Sequence, residues 1–135
     1  MDQAKRFAEE SHCERLKVGC VIVKDDFVIA HGWNGMPAGM DNCCETWIPN
    51  EITRDMAQIT KPEVLHAEQN SLMRLARSTE SSVGASCFVT TAPCITCAVL
   101  LHQAGIEEVY YNKTYRDNSG IEFLKKVGVK IEQLQ

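Results

Sequence analysis

The sequence has no apolar run that approaches the roughly 20 residues needed to cross a bilayer. It also has no apolar leader, because its first ten residues, MDQAKRFAEE, are too charged for a secretory signal. Both absences argue against a membrane protein and against export. We therefore expect a cytoplasmic protein.

Positive charge is not in excess. The chain carries 14 Lys and Arg against 18 Asp and Glu, which gives a formal net charge of −4 and a pI near 5.5. Proteins bind long nucleic acids through basic surfaces, so this balance argues against such a substrate. A single nucleotide held by two or three local cations is still compatible with it.

The chain also lacks repeats, low-complexity tracts and linkers. Its 135 residues are enough for one hydrophobic core, so we treat residues 1–135 as a single domain. Seven cysteines is an odd number in a chain without a secretory signal. Reduced thiols and metal ligands explain them better than a disulfide framework.

Two of the cysteines belong to the most informative pattern in the chain. His66-Ala67-Glu68 is followed by Pro93-Cys94-Ile95-Thr96-Cys97, so His66, Cys94 and Cys97 offer three zinc ligands. Three protein ligands leave a fourth tetrahedral position for water, which is typical of catalytic rather than structural zinc. Glu68 can reach that water as an acid and base. The combined pattern resembles the signature of zinc-dependent nucleobase deaminases.

The CxxC motif alone has other interpretations: a redox pair, half of a zinc ribbon, or two buried cysteines. A thioredoxin-like redox motif is usually accompanied by a later proline near the site, and no proline follows Pro93. A structural zinc site needs a fourth protein ligand, and neither stretch supplies one. A helix that starts at Cys94 would place both thiols on one side, and its N-terminus would favour thiolates.

Hydrophobic periodicity predicts an α/β fold. Short amphipathic helices alternate with β-branched runs after an initial hairpin, which indicates a mixed sheet with helices on both faces. Strands are predicted at 18–23, 27–33, 86–91, 107–111 and 129–132, and helices at 2–12, about 65–77, 94–103 and 121–127. Residues 34–63 show little periodicity, and we predict a long functional loop there with a short helix around 51–59.

Four blocks in order resemble the deoxycytidylate (dCMP) deaminase family. They are Lys17-Val18-Gly19, Trp33-Asn34-Gly35-Met36-Pro37-Ala38-Gly39, His66-Ala67-Glu68-Gln69-Asn70 and Pro93-Cys94-Ile95-Thr96-Cys97. Asn42-Cys43-Cys44-Glu45 and Lys113-Thr114-Tyr115 resemble phage-encoded members in particular. The resemblance covers about residues 5 to 130. It implies a three-layer α/β/α cytidine deaminase-like fold with a five-stranded mixed sheet, in the host cytoplasm if a phage encodes the protein.

The same resemblance implies roles for individual residues. Zn²⁺ would be bound by His66, Cys94 and Cys97, with Glu68 as the proton shuttle for hydrolysis of dCMP to dUMP and ammonia. Substrate would be bound by Asn34 at the sugar, by Ala67, and by Lys17 and Tyr115 at the 5′-phosphate. The product would supply thymidylate synthesis.

Family members are commonly hexamers that dCTP activates and dTTP inhibits. The resemblance places that effector site at Gly35, Gly39, Asp41 and Asn42, with Mg²⁺ on the triphosphate, and Arg74 facing the effector or a neighbouring subunit. Some phage members hold a second, structural zinc. Cys13 and Cys43 or Cys44 match its cysteines, but no histidine lies in 50–64. We therefore expect no second zinc and expect these three to be free or buried thiols.

Three alternatives stay open. The first is a deaminase of free cytidine or deoxycytidine, which would need neither Lys17 nor Tyr115. The second is a tRNA adenosine deaminase, which the net negative charge disfavours. The third is a zinc module without activity, in which Glu68 would be dispensable.

Overall fold

The computed structural model describes all residues from 1 to 135. Four helices and seven strands follow one another along the chain. They are α1 (Asp2–Glu9), β1 (Gly19–Lys24), β2 (Phe27–Trp33), β3 (Glu45–Pro49), β4 (Met56–Thr60), α2 (Ala67–Ala76), β5 (Ser86–Thr91), α3 (Ile95–Gln103), β6 (Glu108–Lys113), α4 (Ser119–Lys126) and β7 (Lys130–Gln133). None of the helices combines the length and the apolar character of a transmembrane span.

The central sheet has five strands in the order β2-β1-β5-β6-β7. The strand β1 runs antiparallel to both β2 and β5, whereas β5, β6 and β7 are parallel to one another. Parallel neighbours need a crossover connection, which α3 and α4 provide. The predicted five-stranded mixed sheet is therefore confirmed.

Helices cover both faces of this sheet. His31 and Gly32 are neighbours in β2, so their side-chain positions point to opposite faces. On one face Phe7 of α1 stacks on His31, with ring centroids 4.1 Å apart. On the other face a Cβ at Gly32 would lie 2.8 Å from the Ala67 carbonyl oxygen, so glycine is what lets α2 approach this closely. One hydrophobic cluster joins α2, α3 and α4 to the second face, which confirms the three-layer arrangement.

The predicted helix around residues 51–59 is wrong. The structure has a hairpin there, in which β3 and β4 pair as a separate two-stranded sheet. Asn50 reverses the chain, since its side-chain oxygen accepts the amide N–H groups of Ile52 and Thr53. Arg54 adopts a left-handed φ of 62°, which ends any helical path. Side-chain-to-backbone bonds of this kind favour turns over helices.

The prediction that Cys13, Cys43 and Cys44 are free or buried thiols is wrong for two of them. Cys13 and Cys44 form a disulfide bond across 31 residues, and Cys43 is a free, exposed thiol. The bond ties the start of the β3–β4 hairpin to the loop after α1. Neither loop shows a periodicity that would have placed these two cysteines together.

Candidate active site and metal centre

Two helix starts carry the predicted metal ligands. His66 is the residue that caps α2, and Cys94 is the residue that caps α3. The His66 amide N–H donates to the Gln69 side chain at 2.7 Å, which fixes the backbone at this turn. The sequence therefore positions both ligands at N-terminal caps, and Cys97 lies one helical turn further along α3.

The three donor atoms have the separations that one tetrahedral metal requires. Nδ1 of His66 lies 3.5 Å from Sγ of Cys94 and 3.3 Å from Sγ of Cys97, and all three atoms lie within 4.8 Å of one another. Zinc–nitrogen and zinc–sulfur bonds at a tetrahedral angle put the two donor atoms about 3.6 Å apart. The residues present therefore fit a zinc ion with one position left open.

The protonation of this cluster reflects its close packing. Hydrogen bonding from Cys97, and then from His66, lowers the pKa of the Cys94 thiol to about 4. The same bond to Cys94, followed by burial, raises the pKa of Cys97. The hydrogen bond to Cys94 also raises the pKa of His66. The hydrogen bonds among the three groups thus stabilise one negative charge, on the Cys94 thiolate. A divalent cation bound among them would favour the thiolate form of both cysteines.

Glu68 lies in the first turn of α2 and is only 4% exposed. Burial raises the pKa of its carboxyl group, partly offset by a bond to its own backbone N–H and by nearby His66. A carboxyl group with a raised pKa can both accept and release a proton near neutral pH. This side chain lines the same cavity as His66 and Cys94.

That cavity has a volume of about 410 Å³, within the ~300–1,000 Å³ range of small-molecule sites. Of the predicted substrate residues, Asn34, Ala67 and Tyr115 line it, whereas Lys17 is exposed and does not. Three cations that were not predicted as substrate residues also line it: Arg15, Lys113 and Arg116. The sequence could have indicated Lys113 and Arg116, because they lie on either side of the predicted substrate residue Tyr115, at and just after the end of β6.

Known proteins match both the sequence and the structure. A family model described as the cytidine and deoxycytidylate deaminase zinc-binding region matches residues 1–113. The chain belongs to this family. The family description supports zinc as the metal of the His66, Cys94 and Cys97 centre.

Individual members of the family agree. The deoxycytidylate deaminase of Saccharomyces cerevisiae is 37% identical over 134 residues, covering 98% of this chain and 43% of that protein. The deoxycytidylate deaminase of Enterobacteria phage T4 is 31% identical, covering 92% of this chain and 82% of that protein. The dCMP deaminase of cyanophage S-TIM5, crystallised with dCMP and dUMP, is 41% identical with a TM-score of 0.86, covering 98% of this chain and 92% of that one. This chain spans less than half the length of the yeast protein. The cytidine deaminase-like fold is confirmed.

In this family member, Asn34 braces the cavity wall. Its side-chain oxygen accepts the Val18 amide N–H at 2.8 Å, and its side-chain nitrogen donates to the Leu16 carbonyl at 2.7 Å. One N–H and one lone pair are left for a ligand. Asn34 therefore holds the wall in addition to any contact with substrate.

The predicted effector residues are spread over two places. Gly35 pairs with Leu65 in an isolated bridge, and Gly39, Asp41 and Asn42 lie in the exposed turn that follows. Arg74 is on α2, where its guanidinium lies 5.0 Å from the Trp33 ring centroid. None of these residues lines the cavity.

The first turn of α4 presses against the metal-binding turn. A Cβ at Gly120 would lie 2.1 Å from the Pro93 carbonyl oxygen and 3.0 Å from the Cys94 carbonyl carbon. We therefore expect Gly120→Ala to displace Cys94 and weaken zinc binding by roughly 10–100-fold, as changes beside metal ligands typically do. Chelator competition measures this affinity.

A matched variant separates metal positioning from general destabilisation. Gly105, just beyond α3, has a φ of +86°, and a Cβ there would lie 2.9 Å from Val83 Cα. Gly105→Ala is therefore also strained, but at the far end of α3 from Cys94. It should lower stability and leave zinc affinity unchanged. Equal affinity in both variants would contradict the role of Gly120.

Proposed function

We propose that this protein is a zinc-dependent hydrolase that deaminates dCMP to dUMP and ammonia, and so supplies dUMP for thymidylate synthesis. One observation carries the proposal. The three-ligand centre and the buried Glu68 lie at one cavity whose lining also contains three cations, Arg15, Lys113 and Arg116. A free nucleoside has no negative charge for such cations to bind.

Each residue of the site has a separate role in the proposed reaction. Zinc held by His66, Cys94 and Cys97 would supply a water acidic enough to attack C4 of cytosine at neutral pH. Glu68 takes one proton from that water and gives it to N3 of the base; it then takes the remaining proton from the hydroxyl group formed at C4 and gives it to the amino group, which leaves as ammonia. Asn34 and Ala67 orient the sugar and the base. This assignment retains Glu68 as the catalytic residue that the sequence predicted.

The 5′-phosphate site that we propose differs from the one that the sequence predicted. Lys17 lies outside the cavity, so we assign the phosphate to Arg15, Lys113 and Arg116 together with the hydroxyl of Tyr115. The Arg116 guanidinium lies 5.4 Å from the Tyr115 ring centroid, which holds it at this wall. Guanidinium groups suit phosphate because they donate two parallel hydrogen bonds.

Ultraviolet-monitored deamination of dCMP and deoxycytidine tests both the activity and the phosphate site. We expect turnover of dCMP, and kcat/KM for dCMP should fall about tenfold or more in Arg116→Gln, because a charged hydrogen bond is lost. Deoxycytidine turnover should not change. Lys17→Gln removes the same charge outside the cavity and serves as the matched control. Equal turnover of deoxycytidine by the wild type would favour the nucleoside deaminase instead.

We also propose that dCTP activates and dTTP inhibits this enzyme, with Mg²⁺ on the effector triphosphate, and that six chains associate. The proposal rests on the family resemblance, and the candidate effector residues remain Gly35, Gly39, Asp41, Asn42 and Arg74. The same assay with dCTP, dTTP and Mg²⁺, together with light scattering, tests it.

The single hydrophobic cluster supports the proposal that residues 1–135 act as one deaminase domain. We also propose that the protein acts in the cytoplasm, because its proposed substrate, dCMP, belongs to the nucleotide pool of that compartment.

A further inference from the structure

Glu45 is a buried carboxylate that the mechanism above does not use. It is the first residue of β3, is 6% exposed, and lines the same cavity as the metal ligands. One of its oxygens, Oε1, accepts the amide N–H groups of Glu14 at 2.8 Å and Arg15 at 3.1 Å. This bond pair fixes the orientation of the carboxylate against the loop that follows α1.

The other oxygen of Glu45 is free. Oε2 accepts no hydrogen bond from the protein, and Glu45 forms no ion pair, because the only salt bridge joins Lys130 and Glu108. Every fully buried side-chain oxygen in the structure has a hydrogen-bond partner. Because Oε2 has none, it is at least partly exposed. Glu45 is one of the residues that line the cavity, and we infer that the exposed oxygen faces it. Glu45 therefore presents an unpartnered acceptor to whatever binds there.

The chemistry of the substrate limits what can face this oxygen. An ionised carboxylate only accepts hydrogen bonds, and the 5′-phosphate would be repelled by it. In dCMP, hydrogen-bond donors are present only at the 4-amino group and the 3′-hydroxyl. The 4-amino group must lie at the metal centre, where it leaves. The 3′-hydroxyl is the donor that remains.

We propose that Glu45 is a specificity-determining residue that binds the 3′-hydroxyl of the substrate sugar through Oε2. The proposal rests on the function proposed above. It gives β3 a role in the site: the hairpin supplies the wall that recognises the sugar, and Oε1 holds the carboxylate in place while Oε2 makes the contact. A nucleotide without this hydroxyl would leave a buried carboxylate without its partner, which is costly.

The test compares dCMP with 2′,3′-dideoxycytidine monophosphate in the wild type, Glu45→Gln and Glu45→Ala. The wild type should prefer dCMP by about tenfold or more in kcat/KM, since a hydrogen bond to a charged group is lost. In Glu45→Ala the preference should fall to near one, and in Glu45→Gln it should become smaller than in the wild type. Any loosening of the loop would reduce turnover of both nucleotides equally and leave their ratio unchanged.

Gln58→Ala provides the matched control. Gln58 bonds Glu14 at 2.8 Å from the same hairpin but does not line the cavity, so its loss should keep the wild-type preference. Equal losses for both nucleotides in the Glu45 variants, or no preference in the wild type, would overturn the proposal.

Binding measurements keep this inference separate from the proposed activity. Calorimetric titration of zinc-loaded Glu68→Gln protein with each nucleotide needs no turnover, and the same preference is expected in the dissociation constants. Absence of deamination by the wild type would refute the proposed function only. Equal affinity for both nucleotides would refute the role of Glu45 even if the enzyme is active.

Discussion

Glu68→Gln is expected to keep one zinc per chain and to lower dCMP turnover by about 10²–10⁴-fold, the usual contribution of a general acid and base. Glutamine has nearly the shape of glutamic acid, so the first turn of α2 and the His66 ligand should be undisturbed. What is lost is a group that can accept and release a proton. Zinc content by atomic absorption and initial rates with dCMP measure the two effects separately.

Glu63→Gln is the control for this variant. Glu63 is an exposed carboxylate three residues before His66 and lies outside the cavity, so its loss should leave turnover unchanged. Retained turnover in Glu68→Gln would remove Glu68 from the mechanism and favour the zinc module without activity. Loss of zinc would instead mean that the carboxylate supports the metal centre.

Cys97→Ala should abolish stable zinc binding and, with it, the activity. Cys97 is fully buried at the first turn of α3, and its removal leaves only two protein ligands. Ligand binding stabilises a fold by RT ln(1 + [L]/Kd), about 4 kcal/mol when zinc is at 1,000 times its Kd. A chelator should therefore lower the unfolding free energy of the wild type by about that amount and change the variant little.

Cys87→Ala separates metal binding from packing. Cys87 is equally buried, but it lies in β5 with its sulfur 3.5 Å from that of Cys20. This variant should lose some stability and retain both zinc and its sensitivity to the chelator. A Cys97→Ala protein that holds zinc as firmly as the wild type would overturn the ligand assignment.

The sequence predicted the metal centre because its parts are local. His66 and Cys94 each begin a helix, and Cys97 is three positions after Cys94, so helix geometry brings the two sulfurs together. The main strands were predictable for a similar reason: a local run of β-branched residues, such as Val21 to Val23, predicts a buried strand without any long-range information.

The cavity walls were not predictable in this way. The β3–β4 hairpin depends on a turn built from Asn50, and its attachment depends on Cys13 and Cys44 meeting across 31 residues. Arg15, which lines the cavity, donates its backbone N–H to Glu45, a residue 30 positions later in the chain. Lys17 was predicted from a sequence block, and such a block gives no direction to a side chain in a loop. Long-range contacts between irregular segments leave no periodic signal.

The separate pairing of β3 with β4 has a consequence for dynamics. Because these strands share no ladder with the central sheet, their amide protons can exchange with solvent without any opening of the core. A two-stranded ribbon alone is marginally stable, so the hairpin should exchange fastest and the zinc-bearing helix starts far more slowly. The disulfide at its base would keep the frayed ribbon tethered. We therefore expect hydrogen exchange to show faster opening in the hairpin, which contributes Glu45 and Thr60 to the cavity wall, than in the helix starts that carry the metal ligands.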